Sequence, residues 1–194
     1  MTQPRRSWIQ RPWVPVLAGV LAFVITLFAG AIVAADWYWR TVEMDALLDR
    51  VEASESVMGQ LQDDAAQAFE DHGGGADPAK LESTLKDLAA DARVDISEAG
   101  SDVAELPIAV WHGDIEAARD AYLAHNRAWQ DYMQRASESA DEFVKPQDAV
   151  NNTFFDAQAP FVAAVPLPDI TNLLGRVAVI FEIPDDLDSG GMDA

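Results

Sequence analysis

Three histidines are the side chains in this sequence best suited to hold a metal or to move a proton near neutral pH. His72, His112 and His125 are too far apart in sequence to form a His-x-x-x-His metal pair. His112 is followed by Asp114 and Glu116, but Asp114 is also placed to cap a helix, which competes with metal binding. His125 falls on an apolar helix stripe, where a buried histidine bonded to a neighbour is commoner than a ligand. The sequence therefore predicts no metal site and no cofactor.

Nucleophilic catalysis is also poorly provided for. The chain has no cysteine, which removes thiol chemistry, iron–sulfur clusters and Cys-based zinc sites. No Gly-x-Ser-x-Gly elbow occurs, and the Ser-x-x-Lys pattern from Ser83 to Lys86 lies on an amphipathic stretch without its companion motifs. We therefore expect a protein that is not an enzyme, with a hydrolase as the least favoured alternative.

The part of the chain after residue 40 is strongly acidic. The whole sequence has a formal net charge of −20, and the first 40 residues hold four arginines and one aspartate, which leaves 9 basic and 32 acidic side chains in residues 41–194. Such a surface repels phosphate backbones, because nucleic-acid binding is driven by Lys and Arg that release counterions. We therefore exclude nucleic acid as a partner and attribute the charge mainly to solubility.

An uncharged apolar run, Val14 to Ala35, predicts a transmembrane helix. Its 22 residues match the roughly 20 that a helix needs to cross a hydrocarbon core of about 30 Å. The aromatic residues Trp37 to Trp39 suit the membrane interface, and Arg5, Arg6 and Arg11 precede the run. The positive-inside rule places the arginines in the cytoplasm and the following domain outside. A cleavable signal peptide is the alternative, although its apolar core would usually span only about 7–15 residues.

The predicted helix continues beyond the membrane as a stalk with a mostly apolar stripe. Residues recur at alternating spacings of three and four, as in a heptad repeat. The stripe consists of Met44, Leu47, Val51, Ser54, Met58, Leu61, Ala65 and Ala68. It is either a coiled-coil surface or the inner face of a helical bundle.

A second helix is predicted to fold back along the stalk. Gly73 to Gly75 can end the first helix, and Asp77-Pro78 can begin the next. The leucines from Leu81 to Leu88 cover only the distal part of the stripe, so we expect another envelope protein or a second copy to cover the membrane-proximal part. The expected partner interface comprises Met44, Leu47, Val51 and Met58.

The rest of the domain is predicted to contain two further helices and a small β element. Short strands are predicted at about 94–111, where Val94 and Ile96 alternate with polar residues, and at 177–183. The two segments are expected to pair, because a lone strand cannot satisfy its backbone groups. The helices should span Asp114 to Phe143 and Asn151 to Val165. Their stripes form a core or a ligand cavity that comprises Tyr122, His125, Trp129, Tyr132, Phe154 and Phe161. Residues 184–194 are expected to be a disordered acidic tail.

Two segments carry a resemblance to known proteins. They are DWYWRTVEMDALLDRVEASE, residues 36–55, and WHGDIEAARDAYLAHNRAWQDY, residues 111–132. Both resemble parts of uncharacterised signal-anchored envelope proteins of high-GC Gram-positive bacteria. The resemblance implies an outward-facing envelope protein, and it carries over no activity and no functional residue. The layout is also similar to membrane scaffold subunits of pilus and secretion machines, from which the long helix after Asp114 departs.

Together these observations predict a mainly α protein in which a transmembrane helix continues into a helical hairpin or bundle. A cytoplasmic N-terminus, residues 1–13, precedes the span at 14–35, an extracytoplasmic domain at 36–183 and the tail at 184–194. The leading hypothesis is a non-enzymatic accessory or interaction subunit of a cell-envelope complex, held in the cell membrane. An extracytoplasmic ligand-binding or sensing module is the alternative.

Overall fold

The computed structural model describes residues 14–72 and 77–183, with side chains from residue 19 onward. The predicted glycine turn, the cytoplasmic N-terminus 1–13 and the tail 184–194 lie outside the described residues. The described chain is mainly helical, as predicted. Its elements are α1 (Val14–His72), α2 (Pro78–Ala104), α3 (Gly113–Glu138), a 3-10 helix (Ala140–Val144), α4 (Asp148–Ala164) and α5 (Leu173–Ile180). The chain divides into two compact units, Met1–Trp39 and Arg40–Ala194.

In the first unit, all described residues belong to α1. The side chains of residues 19–35 are exposed, and the helix is long and apolar enough to cross a membrane. This confirms one candidate membrane-spanning helix near the N-terminus. Which side of the membrane each end faces remains a prediction.

The second unit is a helical bundle whose core includes residues from all five α-helices. α2 runs antiparallel to α1, because Leu85 near its start packs with Ala65 and Ala68 while Val103 near its end packs in the cluster of Met44. Asp77 is the N-cap of α2, as predicted, since its carboxylate accepts a hydrogen bond from the Lys80 amide at 3.1 Å.

The stripe on α1 faces the core of its own bundle. Met44, Leu47 and Val51 have no exposed surface, and they pack with residues of α2, α3, α4 and α5. Met58 is also buried, in a cluster with residues of α2, α3 and α4. The expectation that the membrane-proximal half stays uncovered is therefore wrong, because α3, α4 and α5 cover what α2 does not. No partner helix is needed to bury these four side chains.

The predicted β element is wrong, since both segments lie mainly in helices in the described chain. Residues 94–104 form the last turns of α2, and residues 177–180 belong to α5. A strand would place Val177, Val179 and Phe181 on one face. Instead Val177 and Phe181 are buried while Val179 is 80% exposed, which is the pattern of a helix. Short β-branched runs do not distinguish the two structures by composition.

The predicted bounds of the two later helices also need correction. α3 begins at Gly113, so Asp114 lies inside the first turn and is not the cap. The helix ends at Glu138, because Ser139 adopts an extended backbone conformation with φ −144° and ψ 117°. The 3-10 helix then leads to α4, which begins at Asp148 and contains Pro160.

α2 and α3 approach each other closely at Gly100. A Cβ added to Gly100 would lie 2.3 Å from Oδ1 of Asn126. Asn126 is buried, and its Nδ2 donates to the Ile96 carbonyl at 3.0 Å while its Oδ1 accepts from Gln130 at 2.7 Å. The missing side chain therefore makes room for a hydrogen bond that joins the two helices.

Replacing Gly100 with alanine is expected to destabilise the bundle by about 1–3 kcal/mol, because the new methyl group must displace Asn126 from its bonds. Alanine also gains roughly 1 kcal/mol of helix propensity, which partly offsets the loss. Chemical denaturation of the full chain in detergent measures the change. In an Asn126→Ala background the same substitution should be neutral or stabilising, and a large loss there would contradict the steric explanation.

Candidate functional site

A polar cluster lies inside the bundle and joins α1, α3 and α4. We define it as Glu55, Tyr122, His125, Trp129 and Thr153. The Tyr122 hydroxyl donates to Glu55 at 2.8 Å, and Nε2 of His125 lies 3.6 Å from the same carboxylate. The Trp129 indole N–H donates to Nε2 of His125 at 3.1 Å. Tyr122, His125 and Trp129 are buried, so these bonds form with little competition from water.

The bonds of His125 determine its tautomer. Because the Trp129 indole can only donate, Nε2 of His125 must accept and the ring proton resides on Nδ1. Nδ1 lies 3.2 Å from both the Val150 carbonyl and the Thr153 hydroxyl. Burial lowers the pKa of His125 to about 4, although the bond to Val150 acts in the opposite direction. The imidazole is therefore neutral at physiological pH.

Burial has the opposite effect on the two oxygen acids of the polar cluster. It raises the pKa of Glu55, and the hydrogen bond from Tyr122 only partly opposes this rise. It also raises the pKa of Tyr122 well above its ordinary value, helped by the negative charge of Glu55. Tyr122 thus stays protonated and acts as a hydrogen-bond donor.

Acid is expected to destabilise the bundle through His125. Its pKa is about 4 in the folded chain against an ordinary 6.5, so the unfolded chain binds the proton more readily between these values. The corresponding stability, about 3 kcal/mol, should be fully present above pH 6.5 and lost as the pH falls towards 4. Glu55 acts oppositely, since its raised pKa reduces stability as the pH rises above its ordinary value.

NMR of the histidine ring protons measures the titration directly, and the spectrum of a His125→Gln variant assigns the signal. The difference in unfolding free energy between wild type and variant should grow with pH between 4 and 6.5. A His125 signal that titrates near 6.5 would contradict the buried, neutral state.

The six residues predicted as a core or cavity lie close together. Tyr122, His125, Trp129, Tyr132 and Phe161 are buried, and Phe154 is partly buried. Their rings contact each other, with centroid distances of 6.4 Å for Tyr122–Phe161, 5.1 Å for His125–Phe154 and 5.8 Å for Trp129–Tyr132. These distances are typical of aromatic rings packed in direct contact.

A second polar contact, between Glu43 and His112, joins α1 to the α2–α3 loop. The Glu43 carboxylate lies 2.6 Å from Nδ1 of His112 and accepts the Ala109 amide at 3.0 Å. His112 has no exposed surface. Beside it, Arg40 forms an ion pair with Asp114. His112 and Asp114 are therefore used to fix the start of α3 against α1.

Arg176 holds α5 against an acidic row on α1. Its guanidinium pairs with Asp45, with Asp49 at 2.7 Å and with Glu52 at 3.0 Å. The hydrogen bonds and charges of Glu52 and Asp49 raise the pKa of Arg176 further above its ordinary value, against the opposing effect of burial. These contacts are partly exposed, so each contributes only modestly to stability.

Two of the grooves on the described surface of the bundle are lined by residues outside the polar cluster. The larger, with a volume of about 520 Å³, lies between α2 and α3 and is lined by Arg93, Val94, Ser97, Glu98, Gln130, Asp131 and Gln134. The smaller, about 240 Å³, lies between α1 and α2 and has Asp64, Asp91 and Asp95 among its lining residues. Neither groove is lined by His125 or Glu55.

The polar cluster offers few possibilities for catalysis or metal binding. Among the side chains described from residue 19 to 72 and from 77 to 183, no three His, Asp or Glu residues are grouped as metal ligands would be. His125 could exchange a proton with Glu55, but its Nε2 already accepts a hydrogen bond from the indole N–H of Trp129.

Comparison with family models, with curated proteins and with solved structures finds no match for this chain.

Proposed function

We propose that this chain is a single-pass membrane protein whose helical domain is a non-enzymatic interaction subunit on the non-cytoplasmic side of a cell membrane. The proposal rests on the contacts that the glutamate and histidine side chains of the bundle make with other parts of the same domain. Glu55 of α1 accepts a hydrogen bond from Tyr122 of α3, and Glu43 of α1 contacts His112 of the α2–α3 loop. Their polar atoms therefore fix the helices in place and are not directed at a substrate.

The anchor and the charge distribution support the proposed location. The uncharged run at 14–35 is preceded by three arginines, and the strongly acidic remainder is suited to remain soluble beside a membrane. The ligand-binding alternative has less support, because the aromatic rings that would line its cavity contact one another.

The orientation has a direct test. An alkaline phosphatase domain fused after Ala194 is expected to be active, because that enzyme folds only outside the reducing cytoplasm. A matched fusion after residue 13 should be inactive. Activity from a cytoplasmic reporter fused at the same C-terminal position would overturn the orientation.

The α2–α3 groove is the surface at which we propose that a partner docks. It presents Glu98 and Asp131, both exposed, beside an Arg93–Gln134 contact that bridges the two helices. Polar side chains of both signs can specify a partner while leaving the free domain soluble. A protein that recognises this surface should carry complementary charges.

Purification of the full chain from its native membranes in mild detergent tests this function. A specific partner should be lost from a Glu98→Lys/Asp131→Lys variant and retained by Asp63→Lys, which changes an exposed acid of α1. A chain that purifies alone, or a partner indifferent to the groove substitutions, would count against the proposal.

A further inference from the structure

Two loops of the second unit carry large apolar side chains that are exposed. In the α2–α3 loop, Val110 and Trp111 are 90% and 70% exposed. In the α4–α5 loop, Leu167 and Ile170 are 79% and 71% exposed. Four such side chains on two tips are unfavourable in water, since their burial would remove apolar surface from contact with it.

The α2–α3 loop lies at the end of the bundle where the second unit begins. Its residues Ala109 and His112 are both hydrogen-bonded to the Glu43 carboxylate. Glu43 itself lies only three residues after Arg40, where the unit begins. Asp114, just after the loop, pairs with Arg40 itself. Val110 and Trp111 thus lie between Ala109 and His112, whose contacts with Glu43 hold the loop at that end.

The α4–α5 loop lies at the same end. α4 begins with Val150 in the cluster of Met58 and finishes with Ala164 in the cluster of Met44, so it runs towards the start of the unit. α5 then returns in the opposite direction, since Phe181 at its end contacts Phe154 near the middle of α4. The loop between the two helices therefore lies beyond Ala164, at the end that contains Arg40.

Each loop contains one acidic residue, Glu105 in the α2–α3 loop and Asp169 in the α4–α5 loop. The α2–α3 loop reads LPIAVW at residues 106–111, and the α4–α5 loop reads VPLP at residues 165–168. Asp169 lies between Leu167 and Ile170, and its carboxylate accepts hydrogen bonds from the backbone amides of Leu173 at 3.0 Å and Leu174 at 2.8 Å. These hydrogen bonds partly compensate the Asp169 carboxylate for any loss of water around it.

Chain connectivity sets how far this end can be from the apolar run. Glu43 lies eight positions after Ala35, the last residue of the uncharged run, so chain connectivity alone keeps the two residues within about 28 Å of each other. The headgroup region of a bilayer adds about 5–8 Å on each side of its hydrocarbon core. Side chains near Glu43 are thus within reach of the interface in which Trp and aliphatic tips are stable.

We propose that Val110, Trp111, Leu167 and Ile170 insert into the interfacial region of the bilayer that is spanned by residues 14–35. The inference rests on the proposed membrane anchoring and adds a second, peripheral contact to it. The occupant is lipid, in preference to a second copy, because both apolar loops lie at the end of the domain that is connected by the chain to the membrane anchor.

Single cysteines test the proposal, since the native chain has none. Cysteines at Val110, Ile170, Val144 and Phe23 are labelled with an environment-sensitive fluorophore in the full chain, reconstituted as one copy per phosphatidylcholine nanodisc. Val144 is an exposed control, and its neighbour Phe143 packs with Ala65 and Leu85 at the opposite end of the bundle. Phe23 lies within the apolar run and reports anchoring.

Labels at Val110 and Ile170 are expected to be quenched by nitroxide-labelled lipid and to be about threefold less accessible to aqueous iodide than the label at Val144. Quenching at Phe23 alone, with Val110 and Ile170 as open to iodide as Val144, would overturn the contact and leave the anchor intact. Protection from both quenchers would indicate a protein cover and also overturn it. No lipid quenching at Phe23 would instead refute the anchor, and the contact with it.

Discussion

Replacing Trp129 with alanine is expected to destabilise the bundle by about 3–5 kcal/mol, the usual result of emptying a large aromatic site. Trp129 is buried against Tyr132, and its indole N–H is the donor to Nε2 of His125. The substitution therefore leaves a cavity and an unpaired acceptor in the same place. At this chain length the melting temperature should fall by about 6–20 °C.

Trp129→Phe separates the two contributions. It keeps most of the ring but removes the N–H, so the loss should be smaller, about 1–3 kcal/mol. Near-UV circular dichroism of the full chain in detergent follows the melting of both variants. An unchanged melting temperature in Trp129→Ala would show that this residue does not form part of the core.

Leu47→Ala is expected to reduce stability by about 2–5 kcal/mol, because Leu47 has no exposed surface and lies in the largest core cluster. The loss should not depend on protein concentration, since the residues that cover Leu47 belong to the same chain. Val42→Ala is the matched control on the same helix. Val42 is 41% exposed, so its truncation should change stability by less than about 0.5 kcal/mol.

The concentration dependence is what tests the corrected view of the stripe. If Leu47 contacted a second copy, dilution would weaken the wild type towards the stability of the variant. A melting temperature that falls on dilution in the wild type but not in Leu47→Ala would therefore restore the partner interface that the heptad pattern first indicated.

The sequence predicts the buried face of α1 correctly but not what covers it. Alternating spacings of three and four identify which side of a helix is apolar, and Met44, Leu47 and Val51 are indeed on the inner side. The same spacing serves a coiled coil and a bundle equally well. The choice depends in part on α5, whose last four residues, 177–180, fall in the segment predicted as a strand, so that no helix was expected there to cover the stripe.

The polar contacts were harder to predict because they join distant positions. Glu43 and His112 are 69 residues apart, and no local pattern links them. Arg176 offered a signal that could have been used, because Asp45, Asp49 and Glu52 form an acidic row at helical spacing while Arg176 is the single basic residue near the end of the described chain. A lone arginine opposite such a row indicates that the two segments meet.

The attachment of α5 by Arg176 also determines when this domain can become fully folded during synthesis. Leu173, Val177 and Phe181 fill the part of the core that contains Met44 and Leu47, yet an eight-residue helix is too short to be stable alone. The nascent chain must therefore wait, with that apolar surface open, until the ribosome has released residues as far as Phe181. Until then the emerging domain exposes apolar surface, which chaperones and proteases recognise. Once α5 has emerged, Arg176 can pair with the row of carboxylates near the beginning of the domain, and α5 then covers that surface.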